Sequence, residues 1–421
     1  MKIDFEKASF KDFENPVGMD AYQRSTYFNE FLDFLQERGH LNYRLEGLTG
    51  CGPTVDMDIP GYGGRRTYVG LVSNDYLGFT QHPLVKKAAV YGINNFGTGA
   101  GASPAIGGHF SYHQEIEDAI VRFFKRKAGI IYTTGYTSNS ASLLAMLQME
   151  DVAILDMGVH TSVGEGCRGT NVKTFLHNNM DALERALRQS QHNFRTKFVV
   201  IDGVYSQDGD LAPLDKILEL TKSYGAYLML DDAHGTGVIG KTGRGVIEQY
   251  DLFDQVDVIS GTFSKTFANV GGYLIADPDL IRFLKFQSRQ HLFSATAGPA
   301  SLSIVKAIQL VDEEPEWMDL LWENVDYFTD GLRGLGLDIG TTQSAIVPVK
   351  IRDAAKTGEV SKLLLEAGVY ANPIIYPAVS KKDSRIRMSL MATHTKAQMD
   401  TVLNAFEHIA KKLDLATVRQ V

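Results

Sequence analysis

Residues 226–265 read AYLMLDDAHGTGVIGKTGRGVIEQYDLFDQVDVISGTFSK, and the class of fold can be inferred from this stretch. Two short apolar runs, 226–231 and 256–260, predict buried strands, because each has the length of a strand and is bounded by turn-forming or polar residues. The first run ends in Asp231, and the turn after the second run contains Lys265. An acid and an amine therefore follow two successive strands of one sheet.

The same alternation of apolar runs and helical patterns extends over the middle of the chain. Further strands are predicted at 129–133, 152–156 and 197–202, and the helices between them include 179–188 and 214–224. Apolar strands that alternate with helices indicate a mostly parallel sheet with both faces covered. Such sheets bind ligands at their carboxyl edge, where most of these strands end in a polar or small residue.

The flanking segments differ from this middle part. The first segment combines an amphipathic helix at 22–38 with a turn-rich stretch at 50–64. The last segment contains a long helical stretch after 301, strands near 344–349 and 386–390, and a final helix at 396–413. We therefore predict an α/β protein with three parts: a helical and loop segment (1–66), a large sheet domain (67–300) and a smaller C-terminal α/β domain (301–421).

Composition excludes several classes of protein. The chain has 421 residues, with 42 Lys+Arg against 50 Asp+Glu, so no basic excess favours nucleic acid as a partner. A hydrophobic fraction of 44% is that of a globular protein, and the two cysteines, Cys51 and Cys167, are too few for a disulfide framework. No stretch reaches the roughly 18 apolar residues of a membrane span. We expect a cytoplasmic protein, with shallow contact to a membrane surface left open.

The pairing of Asp231 with Lys265 suits one kind of chemistry. A lysine amine forms an imine with the aldehyde of pyridoxal phosphate, and a carboxylate keeps the pyridine nitrogen protonated so that the ring accepts electrons. Hydroxyl groups in the turn Gly261-Thr-Phe-Ser-Lys265 can hold the phosphate. Either residue alone would more often be a surface lysine or a strand-end turn residue, but their combination in this strand order indicates a pyridoxal phosphate enzyme.

A series of ordered motifs resembles the α-oxoamine synthases, pyridoxal phosphate enzymes that condense an amino acid with an acyl-CoA. The resemblance runs from about 69 to 413, and its motifs are Ser73-Asn-Asp-Tyr-Leu-Gly78, Gly97-Thr-Gly-Ala-Gly101, His113-Gln-Glu-Ile-Glu117, Thr134-Gly-Tyr136, Asp202-Gly-Val-Tyr-Ser-Gln-Asp-Gly-Asp210, Asp231-Asp-Ala-His234 and Gly261-Thr-Phe-Ser-Lys265. It implies a fold type I enzyme, and a homodimer whose active sites are shared between subunits.

The resemblance also implies roles for individual residues. Lys265 matches the Schiff-base lysine, Asp231 the partner of the pyridine nitrogen, and His160 the histidine that stacks on the ring. The other implied cofactor contacts are Gly135, Tyr136, Ser206, His234, Thr262, Ser264 and Ser294, the last presented to the neighbouring subunit. The implied substrate contacts are Arg387, which would grip the amino acid carboxylate, together with Asn74 and Ser389. The structural alternatives are a core histidine at 160, a surface ion pair at 387, a turn cap at 206, a turn glycine at 135 and a packing turn at 293–296.

One position departs from the family. Many relatives carry an arginine directly after the serine that follows the glycine-rich segment, whereas here Ser103 is followed by Pro104. Proline has no charge and no side-chain donor, so a substrate contact made by that arginine is absent or comes from elsewhere. This affects acyl or amino acid specificity and leaves the cofactor site untouched. His113 and Glu117 are interpreted as the start of a helix.

Segments 312–322, 372–379 and 384–395 resemble bacterial serine palmitoyltransferases more than the short-acyl members. The expected reaction is therefore a decarboxylative condensation of serine, or a similar amino acid such as cysteate, with a long-chain acyl-CoA to an α-amino ketone, as in sphingoid or sulfonolipid base synthesis. The alternatives are glycine with acetyl-CoA, and alanine with a pimeloyl thioester as in aminooxononanoate synthase. A simple aminotransferase and a non-catalytic regulatory relative stay open, although Lys265 argues against the latter.

Overall fold

The computed structural model describes residues 3–6 and 8–415. Its strands are β1 (Thr54–Ile59), β2 (Gly64–Gly70), β3 (Ala128–Tyr132), β4 (Val152–Asp156), β5 (Asn171–Phe175), β6 (Lys197–Asp202), β7 (Tyr227–Asp231), β8 (Val258–Thr262), β9 (Gly272–Ala276), β10 (Ile346–Lys350), β11 (Val369–Tyr370), β12 (Asn372–Ile374) and β13 (Arg385–Ser389). Its helices are α1 (Ala21–Glu37), α2 (Pro83–Phe96), α3 (Ser111–Phe123), α4 (Gly135–Met146), α5 (Thr161–Gly166), α6 (Met180–Ser190), α7 (Leu214–Ser223), α8 (Val246–Gln249), α9 (Pro278–Gln287), α10 (Arg289–Phe293), α11 (Leu302–Glu313), α12 (Glu316–Gly334), α13 (Ala354–Glu366) and α14 (Lys396–Leu413). Short 3-10 helices lie at Phe10–Phe13, Phe79–Gln81, Pro104–Ile106 and Pro299–Ser301.

The described residues form two compact units. One unit is Asn74–Leu321, and the other joins the chain up to Ser73 with the chain from Trp322 onward. The sequence analysis divides the chain near 66 and 300, and it does not assign the two ends of the chain to one unit. Local patterns carry no information about which distant segments pack together, so this pairing is visible only in the folded chain.

The unit Asn74–Leu321 is built on a seven-stranded sheet in the order β3-β9-β8-β7-β6-β4-β5. Strands β5, β4, β6, β7 and β8 are parallel to their neighbours in this series, and β9 is antiparallel to both β3 and β8. Strands β4, β8 and β9 are buried along their whole length. Side chains of β-strands alternate between the two faces, so a strand without polar alternation must be covered on both. The prediction of a mostly parallel α/β sheet is confirmed.

The carboxyl ends of four parallel strands place polar side chains at one edge of this sheet. The last residues of β4, β6 and β7 are Asp156, Asp202 and Asp231, and β8 ends at Thr262. Because parallel strands share a direction, these four residues end at the same side of the sheet. The turn that contains Lys265 follows directly after Thr262, so the topology brings the predicted amine to the edge where the aspartates lie.

The other unit contains two three-stranded sheets, β1-β2-β11 and β10-β13-β12. Strand β1 corrects the expectation of a turn-rich stretch over 50–64, because Thr54–Ile59 pairs antiparallel with β2. The sequence of β1 alternates apolar Val55, Met57 and Ile59 with aspartates, a two-residue period that the flanking glycine turn signals obscured. Near the chain start, Tyr27 and Phe31 of α1 pack with Phe13 in an aromatic cluster.

Two strands of the large sheet were not predicted. Strand β5 lies at the edge and exposes most of its residues, so it lacks the apolar run of a buried strand. Strand β9 follows the lysine-bearing turn without an intervening helix, which breaks the alternation on which the prediction rests. No helix within the described ranges has both the length and the apolar character needed to cross a bilayer.

Candidate active site

A cavity of about 200 Å³ opens at the carboxyl edge of the large sheet. Nine of the predicted cofactor-site residues line it: Gly135, Tyr136, His160, Ser206, Asp231, His234, Thr262, Ser264 and Lys265. The same lining includes Asn139 and Asp202, which the sequence analysis did not name as site residues. Residues far apart along the chain are therefore brought together as the strand order requires.

Asp231 is held in place by a side chain from helix α4. The carboxylate is buried, its Oδ2 accepts a hydrogen bond from Asn139 Nδ2 at 2.6 Å, and its Oδ1 accepts one from the Ala233 backbone N–H at 3.1 Å. The Oδ1 atom of Asn139 in turn accepts from the Ser260 hydroxyl at 2.7 Å. The only signal for Asn139 in the sequence is a polar residue on a buried helix face, which does not reveal its partner 92 positions away.

The neighbouring Asp232 has a different environment. Its side chain is fully buried, and its Oδ2 accepts a hydrogen bond from the Val246 backbone N–H at 2.9 Å. Burial raises the pKa of Asp232 to about 7. Asp231 lines the cavity and Asp232 does not, so Asp231 is the aspartate of this pair that can reach a ligand there.

His160 is positioned by the start of helix α5 and by strand β6. Its Nδ1 lies 2.8 Å from the Ser162 hydroxyl, and its backbone N–H donates to Asp202 Oδ1 at 3.3 Å. Partial burial and the positive charge of Lys265 lower the pKa of His160 below its usual range, against the opposite effect of Asp231. Burial, together with the Asp231 carboxylate, raises the pKa of Asp202 well above its usual value.

His234 is fixed by a tyrosine that the sequence analysis did not single out. The Tyr76 hydroxyl lies 2.6 Å from His234 Nδ1, and both side chains are buried. Tyr76 belongs to the motif that begins at Ser73, but nothing in the motif indicates a contact across 158 positions. This contact occupies one ring nitrogen of His234 and so fixes the orientation of the imidazole ring.

The first turn of helix α4 forms the other end of the cavity. Thr134 caps this helix, since its hydroxyl oxygen accepts from the Thr137 backbone N–H at 3.0 Å. A Cβ atom at Gly135 would lie 2.6 Å from Thr262 Cβ, so only glycine allows this close approach. The first backbone N–H groups of a helix lack helical partners and attract anions, and Thr262 and Ser264 add hydroxyls beside them.

The remaining predicted residues lie outside the cavity lining. Ser294 lines a separate cavity of about 120 Å³ with Thr296 and His291. Asn74 is in the same unit as the cavity and accepts a hydrogen bond from Tyr76 at 3.4 Å without lining the cavity. In the other unit, Arg387 and Ser389 lie on β13, where Arg387 Nη1 donates to the Ser389 hydroxyl at 3.1 Å.

His113 and Glu117 do more than begin a helix. His113 Nε2 lies 2.9 Å from the Thr296 hydroxyl and 3.0 Å from the Ala297 carbonyl oxygen, so helix α3 holds the segment that contains Ser294. Glu117 forms an ion pair with Lys285, with 2.6 Å between Oε2 and Nζ. Burial raises the pKa of Glu117. The interpretation of both residues as structural is kept, with specific partners added.

The donor set around the cavity fits pyridoxal 5′-phosphate. Lys265 offers an amine for the aldehyde, Asp231 an oriented carboxylate for the pyridine nitrogen, and the start of α4 an anion site for the phosphate. A model of the aminotransferase class I and II family matches residues 66–406. Fold, site and family model together define the chain as a fold type I pyridoxal phosphate enzyme.

Named relatives narrow this class. The chain is 37% identical over 393 residues to the 8-amino-7-oxononanoate synthase of Bacillus pumilus, which covers 93% of this chain and 98% of the relative. It is 38% identical over 400 residues to that of Thermoanaerobacter pseudethanolicus, with 94% and 100% covered. The serine palmitoyltransferase structure from Sphingomonas wittichii matches with a TM-score of 0.88 at 30% identity over 94% of this chain and 99% of that chain. The chain belongs to the α-oxoamine synthase family and is a pyridoxal phosphate-dependent acyltransferase.

Proposed function

We propose that this enzyme condenses alanine with a pimeloyl thioester and releases CO₂ and the free thiol to give 8-amino-7-oxononanoate. The observation that carries the proposal is the 37–39% identity to synthases of this name, over 82–94% of the chain. The sequence analysis preferred serine with a long-chain acyl-CoA and gave the alanine reaction as an alternative. The names of the relatives support that alternative better, and they give no support to a role in sphingolipid synthesis.

Pyridoxal phosphate, when bound, withdraws electron density from the Cα of the amino acid and so makes a carbanion accessible there. In the proposed reaction Lys265 would hold the cofactor through its aldehyde, and its amine would move the proton at the Cα of the amino acid. Asp231, oriented by Asn139, would keep the proton on the pyridine nitrogen of the cofactor. His160 would lie against the cofactor ring, and His234, held by Tyr76, would donate to the phenolic oxygen of the cofactor.

Other residues of the site are proposed to bind rather than to move protons. Gly135, Tyr136, Thr262 and Ser264 hold the phosphate at the start of α4, and Ser206 is a further cofactor contact. The proposed substrate contacts are Arg387, Ser389 and Asn74. Arg387 would take the carboxylate of the amino acid, because its planar guanidinium can bind both carboxylate oxygens and is already oriented by Ser389.

A second candidate is the condensation of serine or cysteate with a long-chain acyl-CoA. Serine palmitoyltransferase structures match this chain with TM-scores of 0.88 and 0.89 over 94% of its length, at 29–30% identity. The 8-amino-7-oxononanoate synthase structure from Francisella tularensis matches with a TM-score of 0.71 at 20% identity, which shows the shared fold alone. The family resemblance also implies an arginine where this chain has Pro104, so specificity is open to direct measurement.

A matrix of thiol-release assays tests the two candidates. Alanine, glycine, serine and cysteate are each combined with pimeloyl-CoA, acetyl-CoA and palmitoyl-CoA, and the amino ketone is identified by mass spectrometry. The proposal expects release and 8-amino-7-oxononanoate with alanine and pimeloyl-CoA, and no release from the Lys265→Ala variant. If serine or cysteate with palmitoyl-CoA is the only combination that reacts, the second candidate is established. Formation of a keto acid in the absence of a thioester would contradict both candidates.

We also propose that the enzyme is a homodimer with shared active sites. Helix α2 leaves large apolar side chains in solvent, including Val90 and Tyr91 at 55% and 60% exposure, and exposed apolar groups of this size favour a partner surface. The placement of Ser294 outside the cavity is compatible with its predicted role at the neighbouring subunit's site. Cytoplasmic location and peripheral membrane contact stay predictions.

A further inference from the structure

One histidine outside the cavity lining lies between two carboxylates from different segments. His177 Nδ1 lies 2.9 Å from Asp156 Oδ1, and His177 Nε2 lies 2.9 Å from Asp210 Oδ2. Asp156 ends strand β4, Asp210 lies in the loop after β6, and His177 itself follows β5. The imidazole ring therefore connects three segments at the carboxyl edge of the large sheet.

The geometry requires the charged form of this ring. A neutral imidazole has a single N–H and can donate to only one carboxylate, whereas the imidazolium donates from both nitrogens. Partial burial lowers the pKa of His177, but hydrogen bonds and charges from Asp156 and Asp210 outweigh it and raise the pKa to about 10. Tyr205 also faces the ring, and the two rings lie edge-on with 4.3 Å between their centroids.

The next residue repeats the connection with its amide groups. The Asn178 backbone N–H donates to Asp156 Oδ2 at 2.9 Å, and its Nδ2 donates to Asp210 Oδ2 at 3.1 Å. Asn178 has a φ of 50°, a left-handed conformation that asparagine tolerates better than most residues. Two adjacent residues thus bind the same two aspartates, which marks a fixed junction rather than an incidental ion pair.

Both aspartates belong to segments that form the cavity wall. Asp156 Oδ1 also accepts from the Gly158 backbone N–H at 2.7 Å, which shapes the turn leading to His160. In the second segment, the Tyr205 backbone N–H donates to the Asp210 carbonyl oxygen at 3.0 Å and closes a loop whose Ser206 lines the cavity. One cation therefore links the turn that carries His160 to the loop that carries Ser206.

We propose that His177 is a positioning residue, whose imidazolium fixes the His160 turn against the Ser206 loop and so preorganises the cavity for the cofactor. The inference rests on the proposed cofactor contacts of His160 and Ser206, and it is independent of which amino acid and thioester react.

The test compares His177→Gln with Arg195→Gln. The Arg195 side chain pairs with the buried Asp151 at 2.7 Å, next to the amino end of β4, so this control also removes a cation from a buried aspartate but at the end away from the cavity. Equilibrium titration of the cofactor-free proteins with pyridoxal phosphate should give about tenfold weaker binding for His177→Gln, the size of one lost charge-assisted hydrogen bond. The circular dichroism of the bound cofactor should also change in His177→Gln. In Arg195→Gln, the affinity for the cofactor and its circular dichroism should both keep their wild-type values.

A pH series of unfolding provides the second reading. The folded-state pKa of about 10 lies above the ordinary 6.5, so the stabilisation by His177 is complete below pH 6.5 and is lost as pH rises through 10. The difference in unfolding midpoint between wild type and His177→Gln should shrink over this range, and that of Arg195→Gln should stay constant. If His177→Gln does not fold, Asp210→Asn replaces it. Loss of the Asp210 charge should lower the pKa of His177, so the stabilisation by His177 should be lost at a lower pH than in the wild type. Wild-type cofactor affinity and dichroism in a folded His177→Gln variant would overturn the proposal, even if every substrate assay succeeds.

Discussion

Asp231 owes its orientation to a residue on another element. A strand-end aspartate is free to turn towards solvent, but here a 2.6 Å hydrogen bond from Asn139 aims one carboxylate oxygen, and the Ser260 hydroxyl fixes the amide that donates it. Because the amide cannot rotate without losing the Ser260 bond, the carboxylate is held in one orientation before any ligand binds. The sequence shows that position 231 carries a carboxylate, whereas the orientation of this carboxylate comes from the surrounding side chains.

Replacement of Asn139 by alanine should weaken cofactor binding without unfolding the protein. The variant leaves a buried carboxylate short of one donor, and hydrogen bonds to charged groups are worth about 1.5–3 kcal/mol, which corresponds to roughly 10- to 100-fold in affinity. The dissociation constant for pyridoxal phosphate, followed by its visible absorbance, measures the effect. Ser142→Ala on the same helix is the control, since its hydroxyl bonds Tyr132 at 2.8 Å and not Asp231. Equal affinity in both variants would show that Asn139 has no such role.

At the scale of elements, helix α4 and strand β8 touch where the phosphate is proposed to bind. The contact is possible because Gly135 has no side chain next to Thr262. Helix propensity alone would favour alanine at 135, because glycine in a helix costs about 0.5–1 kcal/mol. The packing of the two elements overrides that local preference, and the glycine keeps the helix start open towards the cavity.

Gly135→Ala should therefore destabilise the protein, although alanine is the better helix former. The added Cβ would sit 2.6 Å from Thr262 Cβ, and relief of such overpacking typically costs about 1–3 kcal/mol. Gly164→Ala in α5 is the matched control, because a Cβ there meets no atom within 4 Å, and it should be neutral or stabilising. Urea unfolding gives both free energies, and cofactor titration should show weaker binding only for Gly135→Ala. A stabilised Gly135→Ala variant would contradict the close approach of α4 and β8.

At the scale of the whole molecule, the proposed dimer explains why apolar side chains stand in solvent on α2. Val90 and Tyr91 expose more than half of their surface, and they lie next to each other on one helix. A second copy of the chain is the partner implied by the family resemblance, and shared active sites would make assembly a condition of activity.

Size-exclusion chromatography with light scattering should give twice the chain mass of 46.5 kDa. Tyr91→Glu places a charge on the exposed face of α2 and should shift the protein to the monomer with loss of thiol release, because an interface does not readily desolvate an unpaired carboxylate. Val172→Asp on the exposed edge strand β5 is the control and should leave mass and activity unchanged. A wild-type protein that runs as an active monomer would refute the shared-site proposal.

Residue types and local patterns along the chain were enough to predict the class of fold and a site for pyridoxal phosphate. Apolar runs fix which segments become buried strands, and parallel strands must end at one edge, so Asp231 and Lys265 were predicted to meet without knowledge of a single contact. The order of the motifs along the chain narrowed the predicted class of enzyme to the α-oxoamine synthase family. These inferences succeed because they depend on residue type and on local periodicity, both of which are written in the chain.

The side chains that support those residues become known from the folded chain. The pairing of Asn139 with Asp231, of Tyr76 with His234, and of His177 with two aspartates depends on strand register and on the rotation of each helix about its axis. The close approach of α4 to β8 depends on the same two factors, and so does the packing of the two chain ends into one unit. Register and rotation result from packing over the whole core, and a local pattern of residues does not encode them.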